Sequence, residues 1–371
     1  MITGDGFQFR DLRIDCGAYT QTPATDNSYI PWLTDEGFIK SGENKVAFTS
    51  NTPFKAYTLR SFPKGHKNCY KLPFYHAYYK FLFRAGFYYG NYDGLSNPPS
   101  FRLEIDGILW ANVTTSMSED IIYYELLYIT KKSKVSVCLI RAMDYDVPFI
   151  SSLEAYNIYD AYNWMDNTTP LYLHSRINYG ADTSIEQSMN YDAEKYHRIW
   201  KSKEMSNYLN IQADSISYDY LIGENRPPLP VMGYAIQATN LRDSIYLCID
   251  FSPRTAVKAY FVLYFMDPVF RLEKNQTSSV EIYIDNNKMA VTDIPNINTF
   301  LENQFHVVTL YSVPVNGSAN VTISPAEGST LAPLLNAMEV FSDVSESGHL
   351  FNLSSSLFII SLHLLVILLV T

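Results

Sequence analysis

Apolar and polar residues alternate along most of the chain. The pattern is clearest in Tyr79–Gly90 (YKFLFRAGFYYG), Phe101–Trp110 (FRLEIDGILW) and Lys134–Ile140 (KVSVCLI). It returns in Lys258–Phe265 (KAYFVLYF) and Val280–Ala290 (VEIYIDNNKMA). A period of two sends one set of side chains into a core and the other toward water, as in half-buried β-strands. The turn pairs Asp106-Gly107 and Asp285-Asn286 tolerate positive φ and close hairpins between such strands. Amphipathic helical stretches are few and short, so the pattern predicts an all-β fold.

The strands repeat. LRIDCGA (Leu12–Ala18) matches SRINYGA (Ser175–Ala181), with Arg13 over Arg176. Phe81 then matches Phe261, Asp106 matches Asp285, and Pro148 matches Pro333. The offset is 163 residues at the first pair and 180, 179 and 185 at the others. That jump predicts an insertion in the second unit, around Glu204–Pro230. Four matches in one order indicate two homologous lobes, each the size of a β-sandwich. The expected division is lobe 1 over 1–160, lobe 2 over 171–342, a polar spacer over 343–356 and an apolar tail over 357–371.

Composition supports a packed protein. The chain has 371 residues, is 47% hydrophobic and carries 30 Tyr and 21 Phe, enough to bury a large core. Its net charge of −10 is the wrong sign for a nucleic-acid binder that works by counterion release. Cys16, Cys69, Cys138 and Cys248 contain no C-x-x-C pair, so a cysteine zinc site is not expected. They allow three disulfide pairings, and Cys69, in a polar turn-like stretch, is the first choice for a bridge. His66, His76, His174, His197 and His306 are scattered and form no metal-type motif. No G-x-S-x-G nucleophile motif is present, and no carboxylate pair stands out for glycoside hydrolysis.

The ends point in different directions. Leu357–Val370 (LFIISLHLLVILLV) is almost wholly apolar and has no basic flank. Small residues at Ser345 and Ser347, a polar spacer and this tail fit a glycosylphosphatidylinositol attachment signal; a C-terminal transmembrane helix is the alternative. Met1–Arg10 has no apolar signal segment. Two readings remain for that end: a leader encoded upstream, or a chain that is not exported. Sequons at Asn112, Asn167, Asn275, Asn316, Asn320 and Asn352 lean toward export.

Several longer segments then identify a family resemblance. They are RIDCG (Arg13–Gly17), DEGFIKSG (Asp35–Gly42), LRSFPKGHKNCYKLP (Leu59–Pro73) and FRAGFYYGNYDG (Phe83–Gly94). PFISSLEA (Pro148–Ala155), YHRIW (Tyr196–Trp200) and LAPLLNAMEVFS (Leu331–Ser342) complete the set. Together they resemble the malectin-like extracellular domains of plant receptor-like kinases, above all those that precede leucine-rich repeats. The resemblance implies two tandem malectin-like β-sandwich lobes on the extracellular face of the plasma membrane. It also implies a ligand such as a cell-wall glycan or a secreted peptide, with a receptor kinase as a further partner. No cofactor is expected. The repeats and the kinase motifs are absent from this chain, so no kinase activity is expected of it.

One loop offers candidate ligand contacts: Tyr88, Tyr89, Asn91, Tyr92 and Asp93. Aromatic rings provide a flat surface for the C–H face of a sugar, while amides and carboxylates bond its hydroxyls. The same residues also spell a plain turn, because Gly90, Asn91, Asp93 and Gly94 are turn formers. Trp110 and Trp200 could stack on a ligand, but packing is the simpler role. Arg198 and Asp192 are an expected ion pair between the lobes.

Overall fold

The structure is a computed structural model. It describes residues 8–344 except 23–29, 49–55, 119, 167, 185–193, 195, 214–222, 252–255, 270–275 and 296–304. The spacer and tail from residue 345, and with them the expected C-terminal helix, lie outside the described residues.

The first half holds strands β1 (Leu12–Asp15), β2 (Trp32–Thr34), β3 (Glu43–Phe48), β4 (Ala56–Ser61), β5 (Lys67–Pro73) and β6 (Lys80–Phe87). They are followed by β7 (Ser100–Ile105), β8 (Ile108–Thr114), β9 (Ile122–Ile129), β10 (Lys134–Arg141), β11 (Phe149–Ile150) and β12 (Ser152–Asn157). The second half holds β13 (Leu171–Tyr179), β14 (Lys201–Lys203), β15 (Leu209–Gln212), β16 (Tyr234–Gln237), β17 (Ile245–Asp250) and β18 (Ala256–Phe265). Its remaining strands are β19 (Ser279–Ile284), β20 (Asn287–Asp293), β21 (His306–Asn316), β22 (Ser318–Pro325), β23 (Leu334–Leu335) and β24 (Ala337–Ser342).

Pairing confirms the duplication. In lobe 1, β2-β1-β12-β6-β9 run side by side and β5-β10-β7-β8 form the opposing sheet. In lobe 2, β14-β13-β24-β18-β21 and β17-β22-β19-β20 repeat both orders. The small sheets β11-β4-β3 and β23-β16-β15 correspond as well. Each lobe has its own apolar core between its sheets, one around Phe81, Phe83 and Trp110, the other around Phe261, Leu263 and Met338. Three of the four sequence matches fall on equivalent positions; Phe261 answers to Phe83, two residues beyond Phe81, because Phe83 stands opposite Ala155 as Phe261 stands opposite Val340. Arg13 pairs in register with Glu154, and Arg176 with Glu339. Asp106 and Asp285 open the two hairpins at φ 48° and 47°. Residues 213–233 link β15 to β16 where 49–55 link β3 to β4, a longer connection that overlaps the expected range 204–230 and runs past it by three residues.

Gly17 and Gly180 show why the RIDCG-type motif ends in glycine. Both have φ near +80°, at 77° and 79°. A Cβ on either would drive into a backbone carbonyl, that of Leu59 or of Ala235. Other family-motif residues are equally structural. Asp35 is fully buried and accepts bonds from Arg60 Nη2 at 2.6 Å, Tyr70 Oη at 2.9 Å and the Gly17 amide at 3.1 Å.

The lobes are not beads on a string. Leu171 and Tyr172 of β13 pair with Leu127 and Leu126 of β9, so one sheet of fourteen strands runs through both lobes. A third apolar cluster, with Leu82, Tyr162, Trp200 and Tyr264, covers this junction.

Candidate functional site

The tyrosine loop folds inward. Tyr88 and Tyr89 are each only 1% exposed and belong to the core of lobe 1. Tyr88 packs on Tyr57 at 4.5 Å, and Tyr92 on Phe149 at 5.3 Å. The polar groups close the loop on itself. Tyr89 Oη donates to Asp93 Oδ1 at 2.6 Å and accepts from the Asn97 amide at 3.2 Å. Asn91 Oδ1 accepts the Ser96 amide at 2.7 Å. Burial pushes the Tyr89 phenol up to about 12, and Asp93 adds to the rise. The five residues are thus brought together as a self-bonded turn, with the rings of Tyr88 and Tyr89 turned away from solvent.

Trp110 and Trp200 are buried as well, at 2% and 0% exposure. Trp200 Nε1 donates to Glu194 Oε2 at 3.2 Å, and its ring lies between the guanidinium groups of Arg198 and Arg176. Asp192 lies outside the described residues. Arg198 pairs with Glu194 at 3.1 Å and Glu339 at 2.9 Å. Among the described residues, Arg176–Glu125 is an ion pair that crosses between the lobes. The reason is positional: Arg176 sits on β13, the strand that meets β9, whereas Arg198 faces the linker Tyr162 and its own lobe.

Arg84, on β6, completes a buried chain of charges. It reaches Glu125 at 2.6 Å, Glu154 at 3.2 Å and the His197 carbonyl at 2.6 Å. Arg13 donates to Tyr156 Oη at 2.9 Å and lies 3.2 Å from His197 Nδ1. The four arginines 13, 84, 176 and 198 face the four glutamates 125, 154, 194 and 339, so the charges cancel inside the fold. Paired in this way, the charges are held inside the fold, and removal of any one would leave a partner buried with less compensation. Among the described residues, no three His, Cys, Asp or Glu side chains gather as a metal site.

Cys69 and Cys138 are opposite residues of β5 and β10 and form a disulfide. Cys16 is a buried thiol and Cys248 an exposed one. Of the sequons, Asn316 and Asn320 are exposed at the β21–β22 hairpin, and Asn112 is buried at 8%. Asn167, Asn275 and Asn352 lie outside the described residues.

An open aromatic cleft occupies the end of lobe 1 where the loop after β5 meets the segment after β12. It encloses about 650 Å³ and is walled by Phe9, Tyr75, Tyr79 and Tyr159, with Arg10, His76 and Asn157 among the rings. Tyr75, Tyr79 and Tyr159 are 54%, 42% and 58% exposed. Thr130 fixes the loop by donating its amide to the Tyr79 carbonyl at 3.0 Å. His76 lies against Tyr79 at 5.2 Å, and the Arg10 guanidinium lies over the Tyr159 ring at 5.7 Å. Exposed rings clustered in a concavity, with polar groups between them, are the usual make-up of a ligand site. Sequence reasoning passed over this cleft. The available signal was FYHAYYK (Phe74–Lys80), an aromatic run between two strands that no core would need in full.

These features define an all-β, two-lobed fold. A Malectin-like domain model matches residues 14–342, and the chain belongs to the malectin-like family. The uncharacterized protein At1g24485 of Arabidopsis thaliana is 29% identical over 344 residues, covering 91% of this chain and 65% of that protein. A probable LRR receptor-like serine/threonine-protein kinase of the same plant, At1g07550, is 27% identical over 90% of this chain and 38% of its own length. The chain therefore spans less than two thirds of these curated relatives. Among solved structures, the ANX1 ectodomain from Arabidopsis thaliana has a TM-score of 0.67 at 20% identity, covering 90% of this chain and 96% of that one. Plant peptide RALF23 in complex with FER and LLG2 gives a TM-score of 0.68 at 19% identity, covering 91% and 96%. At those identities the likeness is one of fold.

Proposed function

We propose that this chain is an extracellular ligand-binding module of receptor type that recognises a cell-wall carbohydrate. Lobe 1 (1–160) and lobe 2 (171–342) form the binding body, and the segment 357–371 tethers it to the plasma membrane or directs attachment of a lipid anchor. No helix among the described residues is long and apolar enough to cross a membrane, and the tail lies beyond them. Among the described sequons, the exposed Asn316 and Asn320 would carry glycans. The role is binding without catalysis.

The aromatic cleft at the end of lobe 1 carries this reading. Most large aromatics of the lobe are sunk in its core, yet the cleft keeps three tyrosines open to solvent. Kinship with receptor-kinase ectodomains supports the cell-surface setting. A second reading is an interaction module for a secreted peptide and a receptor kinase. It draws support from the FER structure, which was solved with peptide RALF23 and LLG2.

The test is an array of cell-wall oligosaccharides probed with the full chain purified from a secretory host. A signal that free sugar competes away supports the first reading. A blank array from folded protein, with capture from a secreted-peptide library, supports the second.

A further inference from the structure

The geometry points to a neutral pyranose chain as the ligand of the Tyr75–Tyr79–Tyr159 cleft. This rests on the binding role proposed above and assigns its site and ligand chemistry. Three observations lead there.

The first is the surface on offer. Tyr75 and Tyr79 come from the loop after β5, and Tyr159 from the segment after β12, so two separate parts of the chain bring exposed rings to one concavity. Pyranose rings expose apolar C–H faces that pack on such rings. A cleft of about 650 Å³ falls in the range of sites for small ligands and suits a short oligosaccharide.

The second is the polar complement. Asn157 uses its Oδ1 to accept the Tyr159 amide at 3.1 Å, which leaves its NH2 group to donate to a ligand. His76 and the tyrosine hydroxyls add groups that can donate or accept. Hydroxyl-rich ligands need such mixed partners spread among the rings, not one strong charge.

The third is the charge balance. The Arg10 guanidinium lies 4.0 Å from the Asp11 carboxylate, and Asp11 Oδ1 also accepts the Asn157 amide at 2.7 Å. Among the described residues, the one arginine or lysine in the cleft wall is thus matched by an adjacent anion, and the protein as a whole is acidic at −10. Neither feature selects an acidic sugar.

The test is calorimetric titration of the full chain with short neutral oligosaccharides of glucose, xylose and mannose, beside charged ones. A neutral chain should bind, and added salt should leave the affinity unchanged, since no net charge is screened. Tyr79→Ala and Tyr159→Ala should each weaken binding about fivefold or more while the melting temperature holds. Tyr145→Ala, at an exposed tyrosine outside the cleft, should change nothing. Tight, salt-sensitive binding of charged sugars alone would overturn the neutral assignment. Sugar binding that both cleft variants retain would overturn the site and leave the carbohydrate reading standing. Binding of a proline-rich or other peptide with no sugar binding at all would overturn both.

Discussion

Arg176 Nη1 donates to Glu125 Oε2 at 2.6 Å across the boundary between the two lobes, and both side chains are out of contact with water. Glu125 also takes Arg84, so one carboxylate joins strands β6, β9 and β13. Removing it takes a partner from two buried guanidinium groups, leaving Arg84 to Glu154 at 3.2 Å and Arg176 to Glu339 at 3.5 Å. Glu125→Ala should cost about 3–5 kcal/mol, the usual penalty for breaking a buried pair from one side. Because the sheet is shared, both lobes should lose stability together. Urea unfolding followed by far-UV circular dichroism and by tyrosine fluorescence should give coincident curves at a lower midpoint.

Burial pushes the Glu125 carboxyl up, but Arg176 and Arg84 outweigh it and hold the group below its ordinary value of 4.5. A carboxylate depressed in the folded state stabilises above its unfolded pKa, and that stability is lost as pH falls through the folded one. The protein should therefore weaken on acidification below about pH 4.5. Asp11 and Asp15 are raised by burial and pull the opposite way. Glu125→Gln isolates the effect: the gap between wild type and variant in thermal melts should narrow as pH drops below that point.

The inward tyrosine turn gives a contrast with the cleft. Tyr88→Ala and Tyr89→Ala each empty a buried ring and should cost about 3–5 kcal/mol. Tyr89→Phe keeps the ring, loses its hydroxyl's bonds to Asp93 and to the Asn97 amide, and should cost about 1–2 kcal/mol. Differential scanning calorimetry separates these from Tyr79→Ala, for which no loss is expected. A melting point unchanged by Tyr88→Ala would contradict the packing described.

Cysteine chemistry should follow exposure. Cys248 should react with a maleimide in the native protein, and Cys16 only after denaturation. Burial, with Asp35 nearby, pushes the Cys16 thiol well above its usual range. Peptide mapping should find Cys69 joined to Cys138. Cys69→Ser with Cys138→Ser should lower stability by about 2–5 kcal/mol.

The strand pattern and the repeat were legible because period-two alternation and buried arginines are local facts. Arg13 and Arg176 look alike in sequence because both stand opposite a buried glutamate in the same register. The direction in which a loop turns its rings is not local. Tyr88 and Tyr89 read either as ligand contacts or as a packed turn, and Phe149, some sixty residues further on, receives the Tyr89 ring inside the core. Glu339, which pairs with Arg198, lies 141 residues further on, on the last strand, so no local pattern pointed to it. The cleft went unseen because its walls, Phe9, Tyr75 and Tyr159, meet only after the β1–β12 and β12–β6 ladders have formed.

The strand pairs Leu171–Leu127 and Tyr172–Leu126 weld the duplicated halves into one slab. Backbone hydrogen bonds cross this seam, so the halves can turn against each other only if that ladder breaks first.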